Sequence, residues 1–166
     1  MMSLRTKRLT LCALYSAIGL TIFVLEAQIP PFLPIPGFRL GLSNVVTLLA
    51  LVTLGWKEAA AITLVRIVLG NLVTGQVMAM LYSLGGGIPG FIAMALSLKV
   101  LRDSQIWVAG ISGALAHNLG QMLVAVLIAS TPGLFLYLPV LCLCGMVTGA
   151  FTGLCVQLLK NRRLFK

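Results

Sequence analysis

Two arginines, Arg39 and Arg66, one glutamate, Glu26, and one histidine, His117, stand among apolar residues, apart from the basic ends and turns that hold the other strong charges. Guanidinium groups stay ionised when buried and grip carboxylate or phosphate through paired hydrogen bonds. Arg39 and Arg66 facing one cavity would therefore suit a small anionic ligand. Five amides extend the polar set: Asn44, Asn71, Gln76, Asn118 and Gln121. His117 and Gln121 are four residues apart and share a face of a helix. Together with Glu26 these are the candidate substrate-binding residues.

Each has a structural reading beside the functional one. Glu26 can pair with Arg39 across a hairpin, and Arg39 can extend to lipid headgroups. The histidine can be a neutral imidazole bonded to a neighbouring helix. The asparagines can join helices through hydrogen bonds worth about 0.6 to 2 kcal/mol. Arg66 is hardest to explain structurally, because the only carboxylate expected near its depth is Glu26.

Other chemistries lack their residues. The sequence has no GxxxxGK[ST] phosphate loop. Its one aspartate, Asp103, cannot form the acidic cluster that holds Mg²⁺ and a diphosphate. A lone histidine gives no metal site, and no serine, histidine and acid are spaced as in a hydrolase. The expected protein is a binder or conduit, not an enzyme, with no cofactor and no metal.

The elements that position these residues follow from composition. Hydrophobic residues make up 60% of the chain and charged ones 9%, with a mean hydropathy of +1.08. A spanning helix needs about 20 apolar residues, so the length fits one transmembrane domain over residues 1–166. Apolar runs between turn signals predict an all-α integral membrane protein, a compact bundle of six transmembrane helices over 9–29, 39–55, 58–73, 88–102, 107–130 and 134–159. The connections carry Pro30, Pro31, Pro34 and Pro36, then Trp56-Lys57-Glu58, Gly85-Gly86-Gly87 ahead of Pro89, Arg102-Asp103-Ser104, and Thr131-Pro132-Gly133. The run TGQVMAMLYSL, 74–84, is expected as a short helix over the outer opening, with an extension of the third helix as the alternative. The basic head and apolar first run resemble a signal peptide but lack a small-residue cleavage site, so a retained first helix is expected.

Twelve Lys and Arg against three acids would suggest nucleic acid in a water-soluble protein. Here ten of the twelve fall at the ends or in two connections, on one side of a six-span ladder. This is a topology signal that puts both termini in the cytoplasm, with the lipid bilayer rather than nucleic acid as partner. The candidate polar residues then lie in the outer half, which suggests a cavity open to the outside. Cys12, Cys142, Cys144 and Cys155 match no metal or redox spacing and read as packing residues. Gly145, Gly149 and Gly153 form a ridge for close helix packing, and Ala13 with Ala17 forms an AxxxA pair on the first helix.

The segments LEAQIPPFLPIPGFRLGLSNVVTLLAL, ITLVRIVLGNLVTG, SLGGGIPGFIAMAL and GALAHNLGQMLVA resemble the Gx transporter family, also named heptaprenyl diphosphate synthase component I, over nearly the whole chain. The layout and the Ala13/Ala17 pair also resemble the S components of energy-coupling factor transporters. That resemblance implies a substrate-binding subunit in the bacterial cytoplasmic (inner) membrane, taking up an anionic or vitamin-like metabolite. It further implies that Ala13 and Ala17 dock on a transmembrane coupling subunit, with ATPase subunits as the energy source. The older family name implies another role, a non-catalytic membrane subunit of polyprenyl diphosphate synthesis. A structural membrane partner that moves no solute is a third reading.

Overall fold

The computed structural model describes residues 4–29 and 41–162. Among them are six α-helices: α1 Leu4–Glu26, α2 Asn44–Thr53, α3 Trp56–Val73, α4 Ala79–Val100, α5 Ile106–Ala129 and α6 Leu138–Asn161. Short 3-10 helices, Asp103–Gln105 and Pro132–Tyr137, precede α5 and α6. No strand occurs among the described residues. Arg39, the four prolines at 30, 31, 34 and 36, and the basic residues Arg163 and Lys166 lie outside the described set.

Four segments are long and apolar enough to cross a bilayer: Arg5–Glu26, Ala79–Val100, Asp103–Ala129 and Pro132–Asn161. The described residues are thus all-helical, and by length and composition these four helices suggest a multi-pass membrane protein. α3 has 18 residues but carries Lys57, Glu58 and Arg66. α2, with 10 residues, is shorter than the 39–55 run predicted for it. At a rise of about 1.5 Å per residue it covers about half of a 30 Å hydrocarbon core. Its start is set by a turn at Gly41, whose φ of 74° favours glycine. Its end is set by Gly55, where a φ of 103° breaks the helix before Trp56.

Successive helices run antiparallel. Tyr15 meets Thr53 between α1 and α2, Thr47 meets Thr63 between α2 and α3, and Ser97 meets Ser112 between α4 and α5. The first turns of α1 and α3 and the last turns of α4 and α6 therefore share one end of the bundle. Arg5, Lys7, Arg8, Lys57, Lys99, Arg102, Lys160 and Arg162 all belong to that end. Two exposed ion pairs lie there, Arg8 with Glu58 at 3.6 Å and Lys160 with Asp103 at 2.7 Å. Such pairs contribute little on their own.

The predicted breaks around α4 are corrected. Gly85, Gly86 and Gly87 do not form a connection; they lie inside α4 together with Pro89. Residues 79–84 are the first turns of α4, neither a separate helix over the opening nor an extension of α3. α3 ends in a Schellman motif, in which the Gln76 N–H donates to the Asn71 carbonyl at 2.9 Å and Gly75 takes a φ of 67°.

The glycines are used for packing. A Cβ on Gly86 would sit 2.8 Å from the His117 carbonyl oxygen, and one on Gly120 only 1.9 Å from that of Gly85. Pro89 has no N–H to offer the Gly85 carbonyl four residues earlier, and that carbonyl faces the Gly120 backbone instead. On the other side of α5, a Cβ on Gly110 would lie 2.3 Å from the Gly149 oxygen, and one on Gly153 would lie 2.6 Å from the Trp107 backbone. The Gly145/Gly149/Gly153 ridge is therefore an intramolecular seam between α5 and α6. Lipid tails are as apolar as leucine, so helices in a bilayer associate through such close contact rather than through exclusion of water.

α2 lies inside the bundle. Val46 and Ala50 pack with Tyr15, Ala59 and Ile62 of α1 and α3, while Leu48 packs with Met94, Ile106, Ala109 and Val156 of α4, α5 and α6. Large apolar side chains such as Leu64, Leu72, Leu123, Val147 and Phe151 face outward, as a lipid-facing surface requires. Gly110→Ala should overpack the seam and cost about 1 to 3 kcal/mol, whereas a Cβ on Gly133 meets nothing within 4 Å. Thermal unfolding of detergent-solubilised protein should show a lowered midpoint for Gly110→Ala and an unchanged one for Gly133→Ala.

Candidate functional site

Most of the buried amide, charged and imidazole side chains gather at the end of the bundle opposite the cations. The last turn of α1 brings Glu26, the turn before α2 brings Gly41 and Ser43, and α3 brings Arg66. α4 and α5 add Ser83, His117 and Gln121. With Phe23 and Ile67 these residues line a cavity of ≈ 10 Å³, room for about one water molecule.

Ser43 joins the two charges. Its backbone N–H lies 3.4 Å from the Glu26 carboxylate, whose other oxygen accepts from the Gly41 N–H. Its hydroxyl accepts a hydrogen bond from Arg66 Nη1. Arg66 Nη2 donates to Asn44 Oδ1 at 3.2 Å, and the Arg66 stem crosses α1 at Gly19, where a Cβ would come within 3.3 Å of it. Glu26 thus serves the free amide groups ahead of α2, where a negative charge is favoured by the helix dipole. Arg66 as a whole is 3% exposed.

The opposite wall differs. Ser83 is 4% exposed and Gln121 5% exposed. Among the described residues, the Ser83 hydroxyl and both polar atoms of the Gln121 amide have no hydrogen-bond partner. Leaving such groups buried and unpaired costs about 1 to 3 kcal/mol each. They sit on neighbouring helices because Gly86 and Gly90 let α4 press against the His117 turn of α5.

Of the nine candidate residues, Glu26, Arg66, His117 and Gln121 meet at the cavity, and Asn44 stands one hydrogen bond behind it. Asn118 is turned away and donates to the Leu141 carbonyl of α6 at 2.7 Å. Asn71, 0% exposed, donates to the Ile67 carbonyl of its own helix at 2.7 Å. Gln76 is exposed and is not among the residues lining the cavity. The expected pairing of Glu26 with Arg39 falls on a residue outside the described set. Ala13 and Ala17 are both exposed on α1. Among the described residues, no three His, Cys, Asp or Glu side chains converge in a way that could hold a metal ion.

Sequence reasoning missed Ser43, Ser83 and Gln157. Ser43 had a signal, since a serine before an apolar helical run is a usual N-terminal residue. Ser83 had none, because its helix start was not recognised. Gln157 is buried at the cation end, accepts from the Ile106 N–H at 2.9 Å and donates to the Asp103 carbonyl at 2.7 Å. It ties α6 to the start of α5, so that end also holds a buried amide, but a fully bonded one.

The family described as heptaprenyl diphosphate synthase component I matches residues 15–159, and the chain belongs to it. No curated protein and no solved structure matches the chain.

Because Glu26 and Arg66 both act on Ser43, their contributions to stability should be coupled. In a double-mutant cycle of Glu26→Gln and Arg66→Met, followed by unfolding in detergent micelles, the interaction energy should be about 0.5 to 3 kcal/mol. Additive effects would show that the shared serine transmits nothing between them.

Proposed function

We propose that this member of the heptaprenyl diphosphate synthase component I family is a membrane-embedded solute-binding subunit. It captures a small anionic or vitamin-like metabolite at the end of the bundle remote from its basic residues. The observation that carries this reading is the pair of Ser83 and Gln121, without hydrogen-bond partners among the described residues and facing the cavity that also holds Arg66 and His117. Buried polar groups without partners are selected against in a purely structural core. A ligand carrying both an anionic group and hydrogen-bonding atoms would satisfy that wall.

The placement of cations at one end supports six crossings with both termini in the cytoplasm, α2 being a half-length crossing enclosed by protein. The cavity then belongs to the extracytoplasmic side. In the described form it is too small for a metabolite, so a wall must move. The first half of α4, which carries Ser83, is the wall with a weak point, since Gly85 to Pro89 lack one helical hydrogen bond. Energy would come from partner subunits, with a coupling subunit docking on the exposed Ala13/Ala17 face of α1 and ATPase subunits behind it.

A second reading rests on the family description. In it the chain is a non-catalytic membrane accessory to polyprenyl diphosphate synthesis that anchors a soluble catalytic subunit. Copurification with a soluble, aspartate-rich prenyl synthase, and a rise in its activity on adding the full chain, would favour this role.

Ser83→Ala and Gln121→Leu separate function from structure. Each removes unpartnered polar atoms, so thermal midpoints should stay level or rise. Retention of a copurified small molecule, read by native mass spectrometry, should fall about tenfold or more, equivalent to about 1.4 kcal/mol. Lower midpoints in both variants, with no small molecule retained by the parent, would refute solute binding.

A further inference from the structure

A second recess lies on the lipid-facing side of the bundle, at the cation end. Leu51 of α2, Trp56 at the start of α3, and Phe91, Ile92, Ala95, Leu96, Leu98 and Lys99 of α4 line a groove of ≈ 480 Å³, within the range of about 300–1,000 Å³ usual for ligand pockets. α4 leaves it open because its small residues, Gly85, Gly86 and Gly90, turn toward α5. Phe91 reaches the core shared by α1, α2 and α3, and Ile92 and Leu96 stand exposed along the groove.

Its lining is apolar except at one end. Lys99 belongs to the wall, and the Lys57 ammonium lies 5.7 Å from the centroid of the Trp56 ring, another wall residue. Glu58, the acid next to Lys57, is engaged by Arg8 at 3.6 Å. Trp56 is 64% exposed, and tryptophan favours the depth at which acyl chains give way to headgroups. A polar solute would find no partner along this wall. A long apolar chain with a negative head would find an apolar slot with Lys99 in its wall and Lys57 beside the wall residue Trp56.

We propose that the groove binds an anionic phospholipid from the leaflet at the cation end, with one acyl chain along α4 and the phosphate between Lys57 and Lys99. Basic side chains at the membrane surface attract anionic lipids. One in the wall of an apolar slot and a second beside a wall tryptophan turn that attraction into a site. The assignment is independent of what the polar cavity binds.

The test uses the full-length chain carrying Trp107→Phe, so that Trp56 is the only remaining tryptophan of the two. Fluorescence is recorded in vesicles in which a fixed fraction of lipid, either phosphatidylglycerol or phosphatidylcholine, is brominated near the headgroup end of its acyl chains. Quenching by brominated phosphatidylglycerol should exceed that by brominated phosphatidylcholine about twofold or more. The preference should vanish in Lys57→Gln/Lys99→Gln, an exposed pair whose loss leaves the fold intact, and Ala95→Phe should weaken quenching by both lipids. Equal quenching by the two lipids, or a preference that survives the double lysine variant, would overturn the proposal. Relief of quenching by added polyprenyl diphosphate would also overturn it, because the slot would then belong to a different amphiphile.

Discussion

A guanidinium cannot shed its charge, and Arg66 carries one inside an apolar bundle at 3% exposure. An ionised group at membrane depth costs about 2.5 to 3.5 kcal/mol on insertion scales, so the surrounding structure has to supply hydrogen bonds that water would otherwise give. Ser43 and Asn44 provide two of them, from the turn before α2 and its first residue. This ties the start of α2 to the middle of α3. Glu26 then holds the same turn from α1 through its backbone amides. Gly19 is small where the arginine stem passes, since a side chain there would press on it. Three helices are fixed by one charge.

The other three helices are fixed by backbone proximity. Along α4, α5 and α6 nearly every glycine faces either another backbone or a side chain that a Cβ would strike. Close approach creates many weak dispersion contacts, the main attraction left between helices when lipid removes the hydrophobic drive. The two halves of the fold obey different constraints, and the polar cavity lies where they meet. On the α1–α3 side Glu26 and Arg66 are hydrogen-bonded into the framework. On the α4–α5 side Ser83 and Gln121 keep polar atoms without partners among the described residues. The bundle is thus hydrogen-bonded on one wall of the cavity and undersupplied on the other.

Membership in the heptaprenyl diphosphate synthase component I family fits an all-helical, multi-pass chain. The family description speaks of a component of a larger enzyme. The polar cavity and the groove share no lining residue, which α4 allows because Gly85, Gly86 and Gly90 turn toward α5 while Ile92 and Leu96 are exposed.

Much of the fold was legible in the sequence because membrane helices declare themselves by hydropathy alone. The six helices, their order, and the gathering of basic residues at one end follow from apolar runs and from where Lys and Arg fall. The glycine ridge on α6 was legible too, since a spacing of four puts three small residues on one face. The start of α4 was not, because glycine and proline signal turns in local reading, and only a partner helix pressed against Gly85, Gly86 and Gly90 makes them helical packing residues. Among the polar residues, the sequence pointed to Glu26, Asn44, Arg66, Asn71, His117, Asn118 and Gln121, which are buried, but also to Gln76, which is exposed, and it passed over Ser43, Ser83 and Gln157. It could not say which way each would point. Asn118 bonds the Leu141 carbonyl while Gln121, one turn away on the same helix, faces the cavity. Composition and order determined a chain of long apolar helices with polar groups among them; helix rotation and the close approach of α4 to α5, which depend on contacts far apart in the chain, decided which of those groups line one cavity.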